Sequence, residues 1–220
     1  MTLPGWLRDA LPADAAATWA TIASIVPEEA YLGGGTAIAV HLRHRVSRDL
    51  DFFYHRHQVD LESLAGKLAA AGPFSVAARS QGTLGGVFSE TKLQFLHADE
   101  EHPQRLLERP RRVAGLRVAG LGDLMAMKLK VVAQPGELRD YFDLMAIEQQ
   151  TGRTVDEGLG YFLARYQPVV GRDQVGAVIR ALGYLDDVDD DLQLPVGKDE
   201  IARYWHARQP EVLKSAGRLA

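Results

Sequence analysis

The amino-acid sequence predicts an α+β fold, in which a small mixed sheet flanked by helices precedes a helical bundle. Short apolar runs separated by glycine or polar turns recur up to residue 118, and such runs are typical of strands. From residue 121 onward, apolar residues recur at helical spacing between proline and glycine breaks. We therefore expect a mixed α/β core over residues 1–118 and a helical region over residues 119–220.

The first half is expected to alternate helices and strands. In chain order we predict a helix over 13–25, a strand at 31–32, a helix over 36–44 that begins at Thr36, a strand over 49–55, and a helix over 60–72 capped by Asp60. Three strand-like runs between residues 74 and 98 predict a meander or a hairpin. Residues 102–112 are expected to be irregular or a short helix, with a candidate strand at 116–120.

The second half is expected to be almost wholly helical. Five segments carry the helical pattern, over residues 121–134, 137–150, 154–166, 172–185 and 198–217.

The composition bounds the class of protein. No apolar run reaches the roughly 20 residues that cross a bilayer, and the N-terminus lacks the basic and apolar segments of a signal peptide. We expect a cytoplasmic protein with no membrane partner. Because there are no cysteines among the 220 residues, disulfides, thiolate metal sites and cysteine nucleophiles are excluded.

The net charge of −4 is unevenly distributed, since five aspartates lie within residues 186–191. Basic residues cluster at Arg43, His44, Arg45 and Arg48. Such runs are usually solvated surface, but a basic patch beside a catalytic site would suit an anionic substrate.

Residues 31–53, YLGGGTAIAVHLRHRVSRDLDFF, carry the main candidate site. Alternate residues of a strand point to the same face, so Asp49 and Asp51 are expected to project together while Leu50 and Phe52 face a core. Two neighbouring carboxylates repel each other unless a cation lies between them. Hard oxygen ligands of this kind favour Mg²⁺ or Mn²⁺.

The glycines before this acidic pair suit a phosphate group. Residues 33–35 allow close backbone approach and positive φ, and a helix beginning at Thr36 offers free N–H groups and the positive end of its dipole. Alone, Gly-Gly-Gly is most often a loop and Asp-x-Asp a solvated strand edge. Together, in this order, they are what metal-dependent nucleotidyl transfer requires, where a metal neutralises a triphosphate and pyrophosphate leaves.

The segment resembles the first motif of the DNA-polymerase-β-type nucleotidyltransferase superfamily. Its fuller form is similar to a narrower group, the AbiEii/AbiGii-type nucleotidyltransferase toxins, which include the MenT-type toxins. The matching residues are Gly34, Gly35, Thr36 and Ala37, followed by Ser47, Asp49, Leu50, Asp51, Phe52 and Phe53.

The second half fits the same resemblance, because the family carries a lysine on one helix and an acidic pair on the next. Lys128 matches the lysine, and Asp140 and Asp143 match the pair. Asp140 and Asp143 share a helix face, whereas Lys130 cannot face the same way as Lys128 and is expected in solvent. The simpler interpretation of Asp140 is a surface charge paired with Arg139.

The resemblance implies roles for these residues. Asp49 and Asp51 would bind Mg²⁺ or Mn²⁺, Lys128 would contact the triphosphate of an NTP, Asp140 would act near the metal or the acceptor, and Asp143 would support it. Nucleotide binding would involve Gly34, Gly35, Thr36, Ser47 and Lys128. The helical region would complete the active site.

The resemblance also implies a reaction and its partners. NMP would be transferred from an NTP to an acceptor hydroxyl, on RNA such as the tRNA 3′ end, by the toxin of a toxin–antitoxin pair. An antitoxin that phosphorylated Ser47 would place a dianion beside Asp49 and repel the nucleotide. Transfer to a small molecule or a protein, and nucleotide binding without turnover, are the alternatives.

Two departures from the family pattern stand out. Gln94 occupies the place expected for a third carboxylate, and it cannot serve as a general base. The loop over residues 133–137 lacks the basic residue that related sequences often have. Phosphate binding would then be weaker or would be supplied by Arg43, Arg45 or Arg48, the last a candidate supporting residue.

Overall fold

A computed structural model describes residues 3–55, 59–98, 104–134 and 136–217. Within these ranges the chain forms nine helices and seven strands. The helices are α1 (Gly5–Asp9), α2 (Ala13–Ile22), α3 (Gly34–Leu42), α4 (Leu61–Ala71), α5 (Leu121–Val132), α6 (Leu138–Thr151), α7 (Val155–Tyr166), α8 (Gly171–Leu182) and α9 (Lys198–Ala216). The strands are β1 (Tyr31–Leu32), β2 (Leu50–Tyr54), β3 (Phe74–Arg79), β4 (Thr83–Phe88), β5 (Thr91–His97), β6 (Arg111–Val113) and β7 (Leu116–Val118).

The described strands form one mixed sheet in the order β3-β4-β5-β2-β1-β7-β6. β3, β4 and β5 form the predicted antiparallel meander, and β2 joins it by parallel pairing with β5. Leu50 and Phe52 are fully buried, and the Phe52 ring stacks on Phe95 with centroids 4.9 Å apart. The predicted α+β fold, with its sheet and its helical second half, is confirmed.

The chain divides into two compact units. The first comprises Met1–Gln104 and Arg109–Gly120 and holds the whole sheet, whereas the second comprises Arg105–Glu108 and Leu121–Ala220 and holds α5 to α9. None of the helices in the described ranges is long and apolar enough to span a membrane.

Buried polar contacts explain why residues 105–108 belong to the second unit. The carboxylate of Asp123, on α5, accepts the backbone N–H groups of Leu107 and Glu108 at 2.9–3.2 Å. It also pairs with Arg165 of α7, and both side chains are buried. A buried pair satisfied in this way anchors the segment 105–108 to α5 and α7.

The helices of the second unit pack closely because small or polar groups lie at their contacts. A Cβ at Gly158 of α7 would lie 3.1 Å from Leu129 and Met125 of α5, so glycine permits this approach. The buried Trp205 of α9 donates its indole N–H to the carbonyl of Tyr141 on α6 at 3.1 Å. Trp205 is thus a core residue.

The structure corrects three local expectations. The helix predicted to begin at Thr36 begins at Gly34, because Gly33 adopts the extended cap conformation. Residues 111–113 form strand β6, where an irregular segment or a short helix was expected, since they pair with β7; residues 102 and 103 of that segment lie outside the described residues. Lys130 is half-buried, with its ammonium 5.0 Å from the centre of the Tyr166 ring, so the prediction that it lies in solvent is wrong.

Candidate active site

The pairing of β1 with β2 brings the two halves of the sequence motif together. Leu32 is in register with Phe52, and the next residue, Gly33, donates its N–H to the carbonyl of Asp51 at 2.8 Å. Helix α3 therefore starts beside Asp51, at the point where β1 ends. The predicted sequence of strand, glycine turn, helix and acidic strand is confirmed.

Gly34 lies directly against Asp51. Gly34 has φ 64°, and a Cβ at this residue would lie 2.7 Å from Asp51 Oδ2. Both the left-handed backbone and the adjacent carboxylate therefore exclude a side chain here. The Asp51 carboxylate lies directly against the first turn of α3.

A chain of hydroxyl groups fixes the other end of the motif. Thr36 Oγ1 lies 2.5 Å from the carbonyl oxygen of Asp49 and 2.8 Å from Ser47 Oγ. Because a carbonyl only accepts, the single hydroxyl proton of Thr36 goes to Asp49, and the Ser47 hydroxyl donates to Thr36. Thr36 and Ser47 are buried, so their hydroxyls hold residues 47–49 against α3.

Gln94 occupies the position next to Asp51 in the sheet. The two residues are in register on the parallel strands β2 and β5, and both are partly exposed. Over the ranges that the structure describes, no group of three or more His, Asp or Glu side chains is arranged to hold a metal ion. A metal site at this point would therefore depend on Asp49 and Asp51 among the side chains.

The second unit holds another charged group, which we call the Lys128 cluster, formed by Lys128, Asp140 and Asp143. Lys128 Nζ lies 2.6 Å from Asp140 Oδ1 and 2.7 Å from Asp143 Oδ2, and all three side chains are buried. The prediction that Asp140 and Asp143 share a helix face is confirmed. Arg139 pairs with Glu137 instead of Asp140, so the interpretation of Asp140 as a surface charge paired with Arg139 is wrong.

Asp140 also stabilises the start of its own helix. Its second oxygen, Oδ2, accepts the backbone N–H of Glu137 at 2.9 Å, as in a capping box. Each carboxylate oxygen of Asp140 thus has a partner in the second unit. The contacts with Lys128 and with the Glu137 N–H hold the Asp140 side chain in place.

Opposing effects act on the Lys128 ammonium. Burial lowers its pKa, but the charges of Asp143 and Asp140 and the hydrogen bonds to them outweigh burial, so the pKa of Lys128 is raised. Lys128 is therefore protonated at neutral pH. With two carboxylates around one ammonium, the cluster carries one net negative charge when all three groups are ionised.

The remaining predicted residues lie at the edges of these groups. Gly35 lies in the first turn of α3, and Arg48 is exposed. Arg45 lies against Gly35; the sequence offered it only as one of three basic residues. The residues of the first motif thus come together in the first unit, and those of the Lys128 cluster in the second.

Part of the chain is similar to a known protein family. Residues 20–87 match the family model of the nucleotidyl transferase AbiEii toxin of a type IV toxin–antitoxin system. The uncharacterized protein aq_aa25 of Aquifex aeolicus strain VF5 is 26% identical over 178 residues, which cover 80% of each protein.

Solved structures share the fold over almost the whole chain. JHP933 from Helicobacter pylori has a TM-score of 0.59 at 17% identity, with 99% of this chain and 96% of that one covered. A presumed nucleotidyltransferase from H. pylori has a TM-score of 0.54 at 18% identity, with coverages of 93% and 94%. The family match over residues 20–87 confirms the resemblance to the AbiEii nucleotidyltransferase toxins that the sequence predicts, and it supports a nucleotidyltransferase activity.

Proposed function

We propose that the protein transfers NMP from an NTP to an acceptor hydroxyl with the help of Mg²⁺ or Mn²⁺. The observation that carries this proposal is the contact between the Asp51 carboxylate and Gly34 at the start of α3. It combines a carboxylate for a metal with a helix start for phosphate in one small region. Nucleotidyl transfer requires both groups at the same place.

Asp49 and Asp51 fit the metal. They are two hard oxygen donors separated by a buried residue, and both remain partly exposed. Mg²⁺ typically takes one or two carboxylates and completes its shell with water and substrate phosphates, which suits a site with two acidic side chains. When bound, the ion would neutralise the triphosphate charge.

The triphosphate is proposed to lie at the first turn of α3. Gly33 is the N-cap of α3 and has no side chain that could cap the helix. The N–H groups of residues 34–36 are the proposed phosphate donors, and Ser47 is proposed to lie beside the bound triphosphate. Lys128 is the proposed additional cation, with Asp140 acting near the metal or the acceptor, Asp143 holding Lys128, and Arg48 in support.

The proposed acceptor is RNA, such as the tRNA 3′ end, and the proposed setting is a toxin–antitoxin pair. The support is the family match, whose description names a toxin of such a system. A cognate antitoxin is then the expected protein partner. Phosphorylation of Ser47 would suppress nucleotide binding, because a dianion would replace the hydroxyl that contacts Thr36.

The direct test mixes the purified protein with Mg²⁺, each α-labelled NTP and total tRNA. We expect label to enter RNA with the wild type and to be lost in Asp49→Asn, which keeps the size of the side chain and removes its charge. Transfer that survives in Asp49→Asn would reject the site. Parallel reactions with small hydroxyl compounds or proteins would show label there instead if the acceptor assignment is wrong.

A further inference from the structure

We propose that Arg45 binds the triphosphate at the first turn of α3, and that residue 35 is glycine so that the Arg45 guanidinium can lie there. This inference rests on the proposed function and names a further binding residue for it. The sequence alone offered Arg43, Arg45 and Arg48 as phosphate-binding residues and singled out Arg48 as a candidate supporting residue.

The Arg45 guanidinium lies against Gly35. A Cβ at residue 35 would collide with Nη2 of Arg45 and would lie 3.4 Å from Ser47 Oγ. The backbone of Gly35 does not lie in the left-handed region, unlike that of Gly34. Glycine at residue 35 therefore leaves space for the Arg45 guanidinium, which lies there near the Ser47 hydroxyl.

The charges around Arg45 also favour a bound anion. The start of a helix carries a positive partial charge, which favours anions and disfavours cations. A guanidinium held against the first turn of α3 therefore faces a field of its own sign, partly offset by the Asp51 carboxylate at Gly34. An anion that contacts both Arg45 and the helix N–H groups would remove this repulsion, and a guanidinium binds phosphate oxygens in pairs.

The positions of the other two arginines favour Arg45 as well. Arg43 is the C-cap of α3, about 12 Å along the helix axis from Gly35 at 1.5 Å per residue. Arg48 is exposed, whereas Arg45 is half-buried. Arg45 is thus the arginine with a guanidinium that the structure holds against the proposed phosphate site.

The test measures nucleotide binding separately from turnover. Calorimetry with an α,β-methylene NTP analogue and Mg²⁺ would compare the wild type with Arg45→Gln, Arg45→Lys and Arg79→Gln. Arg79 is exposed on β3, so Arg79→Gln makes the same charge change on another strand of the same unit. We expect Kd to rise about 10-fold to 100-fold in Arg45→Gln, the range for a lost charge-assisted hydrogen bond, less in Arg45→Lys, and not in Arg79→Gln.

Gly35→Ala provides a second, independent variant, because its methyl group displaces the guanidinium while the arginine remains. We expect its Kd to rise, and the effect of Arg45→Gln in that background to be smaller than in the wild type, since the two changes remove one interaction. Transfer assays should show KM for the NTP rising with little change in kcat.

Equal Kd values in Arg45→Gln and Arg79→Gln, or fully independent effects of Gly35→Ala and Arg45→Gln, would overturn the inference. The proposed function fails in a different way, with a wild-type protein that binds the analogue but transfers no label. In that case the Kd comparison still decides the role of Arg45. Thermal unfolding of each variant verifies that it is folded.

Discussion

Asp51 and Gln94 lie side by side in register on the parallel strands β2 and β5. The neighbouring strand thus places a neutral amide, which is a weak metal ligand, beside the metal-binding carboxylate that we propose. Gln94 occupies the position where related enzymes are expected to carry a third carboxylate. A carboxylate introduced at residue 94 would therefore test whether a metal ion binds beside Asp51.

Gln94→Glu should make folding stability depend on Mg²⁺. Without metal, a third carboxylate beside Asp51 adds like-charge repulsion across the strand pair, which costs on the order of 0.5–1 kcal/mol. Bound Mg²⁺ should offset this cost, because carboxylate oxygens are its preferred ligands. Thermal unfolding with and without Mg²⁺ measures the difference.

The control for this prediction is Gln149→Glu, the same chemical change at an exposed position of α6. Its unfolding temperature should respond to Mg²⁺ as the wild type does. An equal response in Gln94→Glu and Gln149→Glu would show that residue 94 does not adjoin a metal site.

Gly34→Ala should destabilise the protein and abolish transfer. The methyl group would meet Asp51 Oδ2 at 2.7 Å on a backbone with φ 64°, and a positive-φ alanine alone costs about 1–2 kcal/mol. Urea unfolding should show a loss of at least this size, and the displaced carboxylate should no longer support labelled transfer.

Gly66→Ala is the matched control for the glycine substitution. Gly66 lies in α4 with nothing within 4 Å of its Cβ position, so alanine should stabilise the helix by about 0.5–1 kcal/mol and leave transfer unchanged. If Gly34→Ala behaved like Gly66→Ala, the close contact between Gly34 and Asp51 would be wrong.

Lys128→Met should be strongly destabilising. It leaves Asp140 and Asp143 buried without the ammonium that lies 2.6 and 2.7 Å from them, and breaking a buried pair in this way costs about 3–5 kcal/mol. Adding Asp143→Asn to Lys128→Met should recover about 0.5–3 kcal/mol, because the two positions interact. Urea unfolding of the single and double variants measures both; a double variant less stable than Lys128→Met would contradict the cluster.

The contribution of Lys128 should persist to high pH. Its pKa is raised above the ordinary 10.5 because the charges of Asp143 and Asp140 outweigh burial, so its stabilising effect is complete below the unfolded pKa and is lost as the pH rises through the folded one. The difference in unfolding free energy between the wild type and Lys128→Met should therefore be constant from about pH 7 to about pH 10 and fall above that range. If the difference in unfolding free energy fell at a pH below about 10, Asp140 and Asp143 would not stabilise the protonated form of Lys128.

Most of the fold could be predicted because local pattern and tertiary structure agree. The alternation at Leu50 and Phe52 and the Asp60 cap of α4 were readable from residue types, and both appear in the structure. The start of α3 was not, because the positive φ of Gly34 depends on its neighbours in the folded chain. Strand β6 was missed since three residues carry too little pattern and form a strand only by pairing with β7.

The candidate site was predictable in its residues but not in its contacts. The spacing from Thr36 to Asp49 brought both into one motif, yet the hydroxyl chain from Ser47 through Thr36 to Asp49 depends on the folded backbone. The approach of Arg45 to Gly35 likewise joins a residue that follows α3 to one in the first turn of that helix. Side-chain direction of this kind is set by tertiary structure and not by residue type.

The most direct test of nucleotidyl transfer uses one NTP that is labelled at either of two phosphates. The wild-type protein, Mg²⁺ and an acceptor RNA are incubated with the NTP labelled either in its α-phosphate or in its γ-phosphate, with Asp51→Asn as the inactive control. Nucleotidyl transfer predicts that the α-label enters the acceptor, that the γ-label leaves as pyrophosphate, and that Asp51→Asn does neither. Appearance of the γ-label on the acceptor, or undiminished α-label transfer by Asp51→Asn, would contradict the proposed reaction at this site.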